Sequence, residues 1–297
     1  MRDIVYFMQE IVHIVPVGMD SPDRFLVFKH IPATKVILIT GSLKKKGTEK
    51  EEALARKIID KLVAVLGSVM KVEVEETDVF DYKSNLELIA RLIKEHEEAE
   101  VFINLSSATK IMLFAGFMAA SLFGARLYYV SPKEYITTAL EEACKTDDLD
   151  KLKKLMGGNC DEVYLSRGVR HVSELPVLKM EPPKEEELEI LKAIKNAGGK
   201  VDRIIDLMDY IDYGVLYKGK EPPRKPVYRK DTKKQKEHRS RKKEFNKERI
   251  RFINKVRKNL DSMEKRGYIS RTRVGKNARI ELLEPGATLV KLESVFM

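Results

Sequence analysis

The 297-residue sequence predicts an α/β protein in two parts, a mostly parallel sheet covered by helices followed by a smaller basic domain. Three observations carry this expectation. Continuous Val/Ile runs alternate with helical patterns before Pro182, and the charge distribution changes near the same place. One stretch, "VFINLSSATKIMLFAGFMAASLFGARLYYV" (Val101 to Val130), joins strand, polar turn, apolar helix and strand with almost no spacer, which is the pattern of a βαβ unit.

The elements of the first part follow in order. "EIVHIVPVG" reads as a strand and "DRFLVFKHI" as the helical pattern behind it; "KVILITG" precedes "KEEALARKIIDKLVAVLG", and "KVEVEETDV" precedes "SNLELIARLIKEHEEA". The fourth strand is "VFINL". The fifteen uncharged residues Ile111 to Ala125 that follow are too few for a membrane span, which needs about 20, and Lys110 and Arg126 fence them, so they are expected to form a buried helix. "RLYYV" closes a Rossmann-like sheet.

In such sheets ligands sit at the carboxyl ends of the strands, which nominates three loops: "PVGMDSPDR", "TGSLKKKGT" and "NLSSATK". The second has Gly41 and Gly47 but no Gly-Lys-Ser/Thr, which excludes a Walker A site, and no G-x-G-x-x-G follows the first strand, which argues against a dinucleotide enzyme. In the third, Ser106, Ser107 and Thr109 stand at a helix start, where unpaired N–H groups attract anions, and Lys110 adds a full charge. The alternative is that Ser106 or Ser107 is simply the N-cap.

"VHIVPVGMDSPDR" together with "INLSSATKIM" resembles the CRISPR-associated Rossmann fold, the CARF sensor domains, over roughly residues 10 to 135. The resemblance implies a pocket for cyclic oligoadenylate lined by Gly18, Asp20 and Arg24 of the first loop and by Asn104, Ser106, Ser107, Thr109 and Lys110 of the last. It also implies a homodimer, because a cyclic polyphosphate wants amides and hydroxyls spread round a two-fold axis.

Residues 218 to 281 hold 25 Lys and Arg against 8 Asp and Glu, a local net of +17, while the remainder of the chain sums to −7. A block this basic points to a polyanion partner. The boundary falls at Pro182-Pro183, giving domains of residues 1–181 and 182–297, with Glu185 to Glu187 supplying the acidic first turn of a new helix. "EEELEILKAIKNAGG" is amphipathic and ends at Gly198-Gly199. A second helix, "VDRIIDLMDY", is expected with Asp202 as its cap. A third starts at Asn246, burying Ile253, Val256, Leu260 and Met263 and presenting Lys247, Arg251, Asn254, Lys255 and Lys258 on the opposite side. Two strands around Val274-Gly275-Lys276-Asn277 then form a hairpin carrying Arg271, Arg273, Lys276 and Arg279. Three helices and a basic hairpin describe a winged helix-turn-helix, and "LDSMEKRGYISRTRVGKNARIELLEPG" resembles the matching part of MarR-like regulators. Residues 211–245, longer than that family's short turn, read as a basic arm.

The sequence therefore predicts a ligand-responsive, duplex-DNA-binding transcription regulator, similar to archaeal CARF and winged-helix proteins of CRISPR loci. The alternatives are a ring nuclease that cleaves its own cyclic ligand, with Ser107, Thr109 and Lys110 orienting a ribose hydroxyl, or an RNA-binding accessory protein. No catalytic set, metal site or resident cofactor is expected: Cys144 and Cys160 cannot make a zinc site alone, and the five histidines do not cluster in spacing. A start lacking the signal-peptide pattern predicts the cytoplasm. Two glutamines against 34% charged residues suit a thermophile.

Overall fold

The computed structural model of the chain describes residues 9–42, 49–146, 150, 164–212, 215–216, 235–275 and 277–292. They fall into two compact units, Met1–Glu181 and Pro182–Met297.

The first unit is built on a six-stranded sheet. Its strands are β1 (Ile11–Pro16), β2 (Lys35–Gly41), β3 (Lys71–Thr77), β4 (Glu100–Asn104), β5 (Arg126–Ser131) and, beyond two short paired segments β6 (Glu134–Tyr135) and β7 (Ser166–Arg167), the edge strand β8 (His171–Leu175). The spatial order is β3-β2-β1-β4-β5-β8, with every pair parallel except β5 and β8. The register sets Ile14 beside both Ile37 and Ile103, so these three share one face. Val15 and Leu38 point to the other, where α1 (Glu49–Leu66) covers them with Ile58, Ile59 and Leu62.

On the first face α2 (Tyr82–Glu95) and α3 (Lys110–Phe123) pack together. Gly116 lets α3 lie close to the sheet, since a Cβ there would meet Leu105 at 3.2 Å and Ile103 at 3.4 Å. Two expectations change here. α3 buries Met112, Ala115, Ala119 and Ala120 but leaves Phe114 69% exposed, with Ile111 and Phe117 beside it, because only one side of the helix faces the sheet and α2. Residues 23–31 do not form a helix. Pro22–Arg24 is a single 3-10 turn, and Phe25 and Val27 pack inward from an irregular segment.

His13 in β1 is fully buried against Phe28, Phe102 and Tyr128. Its Nε2 lies 3.0 Å from the Pro32 carbonyl, which can only accept, so Nε2 carries the proton and Nδ1 accepts from the Tyr128 hydroxyl at 3.0 Å. Burial pulls the His13 pKa down to about 4. At the far edge β3 alternates outward charges, and Glu73 bridges Lys35 at 2.8 Å and Lys71 at 2.9 Å.

The second unit packs α5 (Glu185–Asn196), a 3-10 segment Ile204–Asp209, α6 (Gln235–Lys265) and α7 (Glu284–Lys291) against a small sheet ordered β10-β11-β9; the fourth helix, Ile136–Thr146, belongs to the first unit and is α4. The strands are β9 (Lys200–Val201), β10 (Ile269–Val274) and β11 (Asn277–Leu282). Leu188, Leu191 and Ile194 meet Phe252, Val256, Leu260 and Met263 in one core. Glu187 starts α5 by accepting from the Lys184 N–H at 2.9 Å and is paired with Arg266. Asp202 caps nothing: it is an ion-pair partner of Arg279 at 2.6 Å, and Arg203 precedes the 3-10 segment. Asn246 does not start the long helix either, for α6 begins eleven residues earlier, within the span expected to be an arm. Residues 217–234 of that span lie outside the described residues.

Candidate ligand-binding and nucleic-acid sites

β1 and β4 are neighbours although β2, α1, β3 and α2 separate them in the chain, so the first unit has its topological switch point between their carboxyl ends. The loop after β1 and the loop after β4 meet there. The Gly18 N–H donates to Ser107 Oγ at 3.0 Å, and a Cβ on Gly18 would lie 2.6 Å from the Ala108 nitrogen. Only glycine allows that approach. Ala108 itself holds φ +78, a left-handed conformation that costs an alanine roughly 1 kcal/mol or more.

The third loop is wound by its own polar groups. Asn104 Oδ1 accepts the Ser106 N–H at 2.8 Å, and Ser106 Oγ accepts the Val130 N–H at 2.7 Å, tying the loop to β5. Thr109, not Ser106 or Ser107, is the N-cap of α3, accepting from the Met112 N–H at 3.2 Å while donating to the Val79 carbonyl at 2.6 Å. Its hydroxyl is thereby committed to structure. Ser107 is 4% exposed, so its contribution is to hold Gly18 in place. Ser106 keeps its O–H proton to donate, and Lys110 is exposed at the first helical position.

Asp20 and Arg24, expected to line the pocket, are turned inward. Arg24 is 2% exposed, pairs with Asp20 at 2.8 Å, and donates to Ser166 Oγ at 2.6 Å and to the Val130 carbonyl. Ser166 in turn donates to Asp20. A buried guanidinium needs this many acceptors to offset desolvation, and the cluster clamps the first loop to β5 and β7. The structure thus brings Gly18, Asn104, Ser106, Ser107, Thr109 and Lys110 together and sets Asp20 and Arg24 behind them.

Sequence reasoning passed over the segment after β5. The Tyr129 hydroxyl is hydrogen-bonded to Tyr135, which raises its pKa, and the backbone of Leu165 and Ser166 is bonded to Met19 and Ser21 of the first loop. The paired tyrosines in "RLYYVSPKEY" were the available signal. Lys44, Lys45 and Lys46 of the second loop lie outside the described residues.

In the second unit Lys247, Arg251, Asn254 and Lys258 are exposed on one side of α6. Lys255 is not on offer: its ammonium donates to the Leu216 carbonyl and pairs with Glu186 at 2.8 Å. Arg271 is held by Asp261 at 2.7 Å and by Glu264, and Arg279 by Asp202, because the hairpin lies over carboxylates of α6 and of the turn after β9. Arg273 is exposed near the tip, and Lys276 lies outside the described residues. Among the described residues no group of three or more His, Cys, Asp or Glu could hold a metal ion, and no helix is long and apolar enough to cross a membrane.

The family model described as "HFX_2341_N-like, N-terminal" matches residues 11–135. No curated protein matches the sequence significantly. Among solved structures the chain is similar to Can2 from Sulfobacillus thermosulfidooxidans in complex with cyclic tetra-adenylate (14% identity, 41% of this chain and 32% of that one, TM-score 0.33). It is also similar to Enterococcus italicus Csm6 bound to cyclic hexa-2'-fluoro-hexa-dAMP (13%, 68% and 50%, TM-score 0.38) and to VC1899 from Vibrio cholerae (10%, 95% and 66%, TM-score 0.33). The alignments thus span only part of those proteins' length, and TM-scores this low say nothing of activity.

Proposed function

We propose that this chain is a ligand-responsive transcription regulator: a CARF-like sensor that takes a cyclic oligoadenylate or related nucleotide at the β1 and β4 loops, joined to a winged-helix unit that binds duplex DNA. The observation that carries the reading is the joining of the Gly18 loop to the Asn104–Lys110 loop at the switch point. These are the two motifs on which the resemblance rests. An exposed ammonium at the start of α3 and the free donor of Ser106 suit phosphate. A second copy would cover Ile111, Phe114 and Phe117 of α3, which supports a homodimer.

The reading is non-catalytic. Ser107 and Thr109, the hydroxyls that a ring-cleaving site would use, are engaged in holding loop and helix. Calorimetry with cyclic tri-, tetra- and hexa-adenylate, followed by chromatography of the recovered nucleotide, tests sensor and enzyme together. Binding with the ring intact is expected; binding to none of the rings, or their conversion to linear products, would sink the sensor or the non-catalytic part respectively. For the DNA arm, Asn254→Ala should narrow the preference for the operator over scrambled duplex, because base-edge contacts carry sequence information.

A further inference from the structure

The carboxyl end of β5 and the short strand β6 after it carry two tyrosines, Tyr129 and Tyr135, to which nothing above gives a role. Tyr128 packs on His13 on one side of the sheet, so Tyr129, the next residue, points to the other. That is the side of Leu127 and Ile103, the latter lying under Gly116 of α3. Tyr129 is partly exposed there, and its hydroxyl is hydrogen-bonded to Tyr135.

The backbone of Tyr135 is pinned from both sides. The Lys133 N–H donates to the Arg167 carbonyl at 3.0 Å and the Ile136 N–H to the Leu165 carbonyl at 3.0 Å, while Tyr135 itself is the cross-strand partner of Ser166. Yet Tyr135 is 51% exposed. Tyr128 shows the contrasting use, fully buried with its hydroxyl given to His13. Both exposed tyrosines stand one step from a candidate loop. The Val130 N–H beside Tyr129 is bonded to Ser106 Oγ at 2.7 Å, and Ser166 opposite Tyr135 is bonded to Asp20 and Arg24 of the first loop. The sheet thus sets the two rings beside the place where the Gly18 and Asn104–Lys110 loops meet.

Ser106 and Lys110 offer donors to phosphate and sugar, but the flat face of a base is served by neither. Bases stack on aromatic side chains, and a ring already held in place loses little freedom when one does. We propose that Tyr135 is the platform on which one base of the nucleotide stacks, and that Tyr129 is a positioning residue that holds the ring through its hydroxyl. The proposal rests on the nucleotide-binding reading above. It adds the recognition of the base, and assigns it to β5 and β6 instead of to either loop.

The experiment is calorimetry of the full chain and its variants with cyclic tri-, tetra- and hexa-adenylate, beside a thermal melt of each. Tyr135→Leu keeps an apolar side chain but loses the aromatic face, and is expected to weaken binding about 10- to 100-fold with the melting temperature unchanged. Tyr135→Phe keeps the ring and loses only the tether, so a loss of about threefold is expected, and Tyr129→Phe should match it. Combining the two Phe changes should then cost nothing more, because they remove the same bond. The chain has no tryptophan, so Tyr135→Trp introduces a single indole whose fluorescence a stacked adenine quenches. Wild-type affinity in Tyr135→Leu, full additivity of the two Phe changes, or an indole unquenched at saturating nucleotide would each overturn the proposal. A wild type that binds none of the three rings sinks the sensor reading and this proposal with it, whereas binding that survives Tyr135→Leu undiminished sinks the proposal alone.

Discussion

Arg24 and Arg251 carry the same guanidinium and are handled in opposite ways. Arg24 is enclosed and held by Asp20, Ser166 and the Val130 carbonyl; Arg251 faces solvent on α6. Arg271 and Arg279 fall between, on the surface yet already paired with carboxylates. The comparison teaches that the charge of a segment overstates its capacity to bind an anion. What counts is the cation whose acceptor lies outside the molecule.

The largest effect that would break this comparison is on Arg24. Arg24→Ala strands Asp20 without its counter-charge and should destabilise the first unit by about 3–5 kcal/mol, read as a lower urea midpoint; Arg24→Met with Asp20→Leu should recover much of the loss. An unchanged midpoint in the single variant would mean that the buried pair does not clamp the loop. His13 gives the next effect. Its pKa is lowered from 6.5 to about 4 in the folded chain, so below pH 6.5 the unfolded chain binds the extra proton, and stability falls as the pH drops toward 4. The loss should reach roughly 3 kcal/mol, and His13→Gln should flatten that window in melts across pH.

Smaller effects sharpen the comparison on its exposed side. Lys110→Ala should weaken nucleotide binding by about 1.5–3 kcal/mol without moving the melting temperature, whereas Gly18→Ala should weaken it by pushing the two loops apart; calorimetry on both variants separates charge from geometry. Smallest is the difference among arginines of the second unit. Arg251→Gln should cost about one unit of salt slope, while Arg271→Gln should cost almost none, since its charge is neutralised in place. Equal slopes for the two would refute the distinction.

The parallel sheet and helices α1 to α3 were legible because hydrophobic period is a local property, readable in "KVILITG" or "SNLELIARLIKEHEEA" without knowing what packs where. The turn at residues 23–31 was misread as helical because Phe25 and Val27 are apolar for reasons of loop packing. β9, two residues long, and β8, an antiparallel edge among parallel strands, carry too little pattern to be seen before their partners are known. In the site, the loops were legible and the roles were not. Nothing in "GMDSPDR" says that Asp20 and Arg24 will face each other, and only the geometry assigns the cap to Thr109.

The alternation along β3 has a consequence for how copies of the chain meet. An open sheet edge invites another strand to add to it, and a row of such additions is how sheets polymerise. Lys71, Glu73 and Glu75 line this edge, with Glu73 bridging two lysines, and any strand approaching would have to strip water from these ion pairs. Endless edge-to-edge growth through β3 is thereby disfavoured.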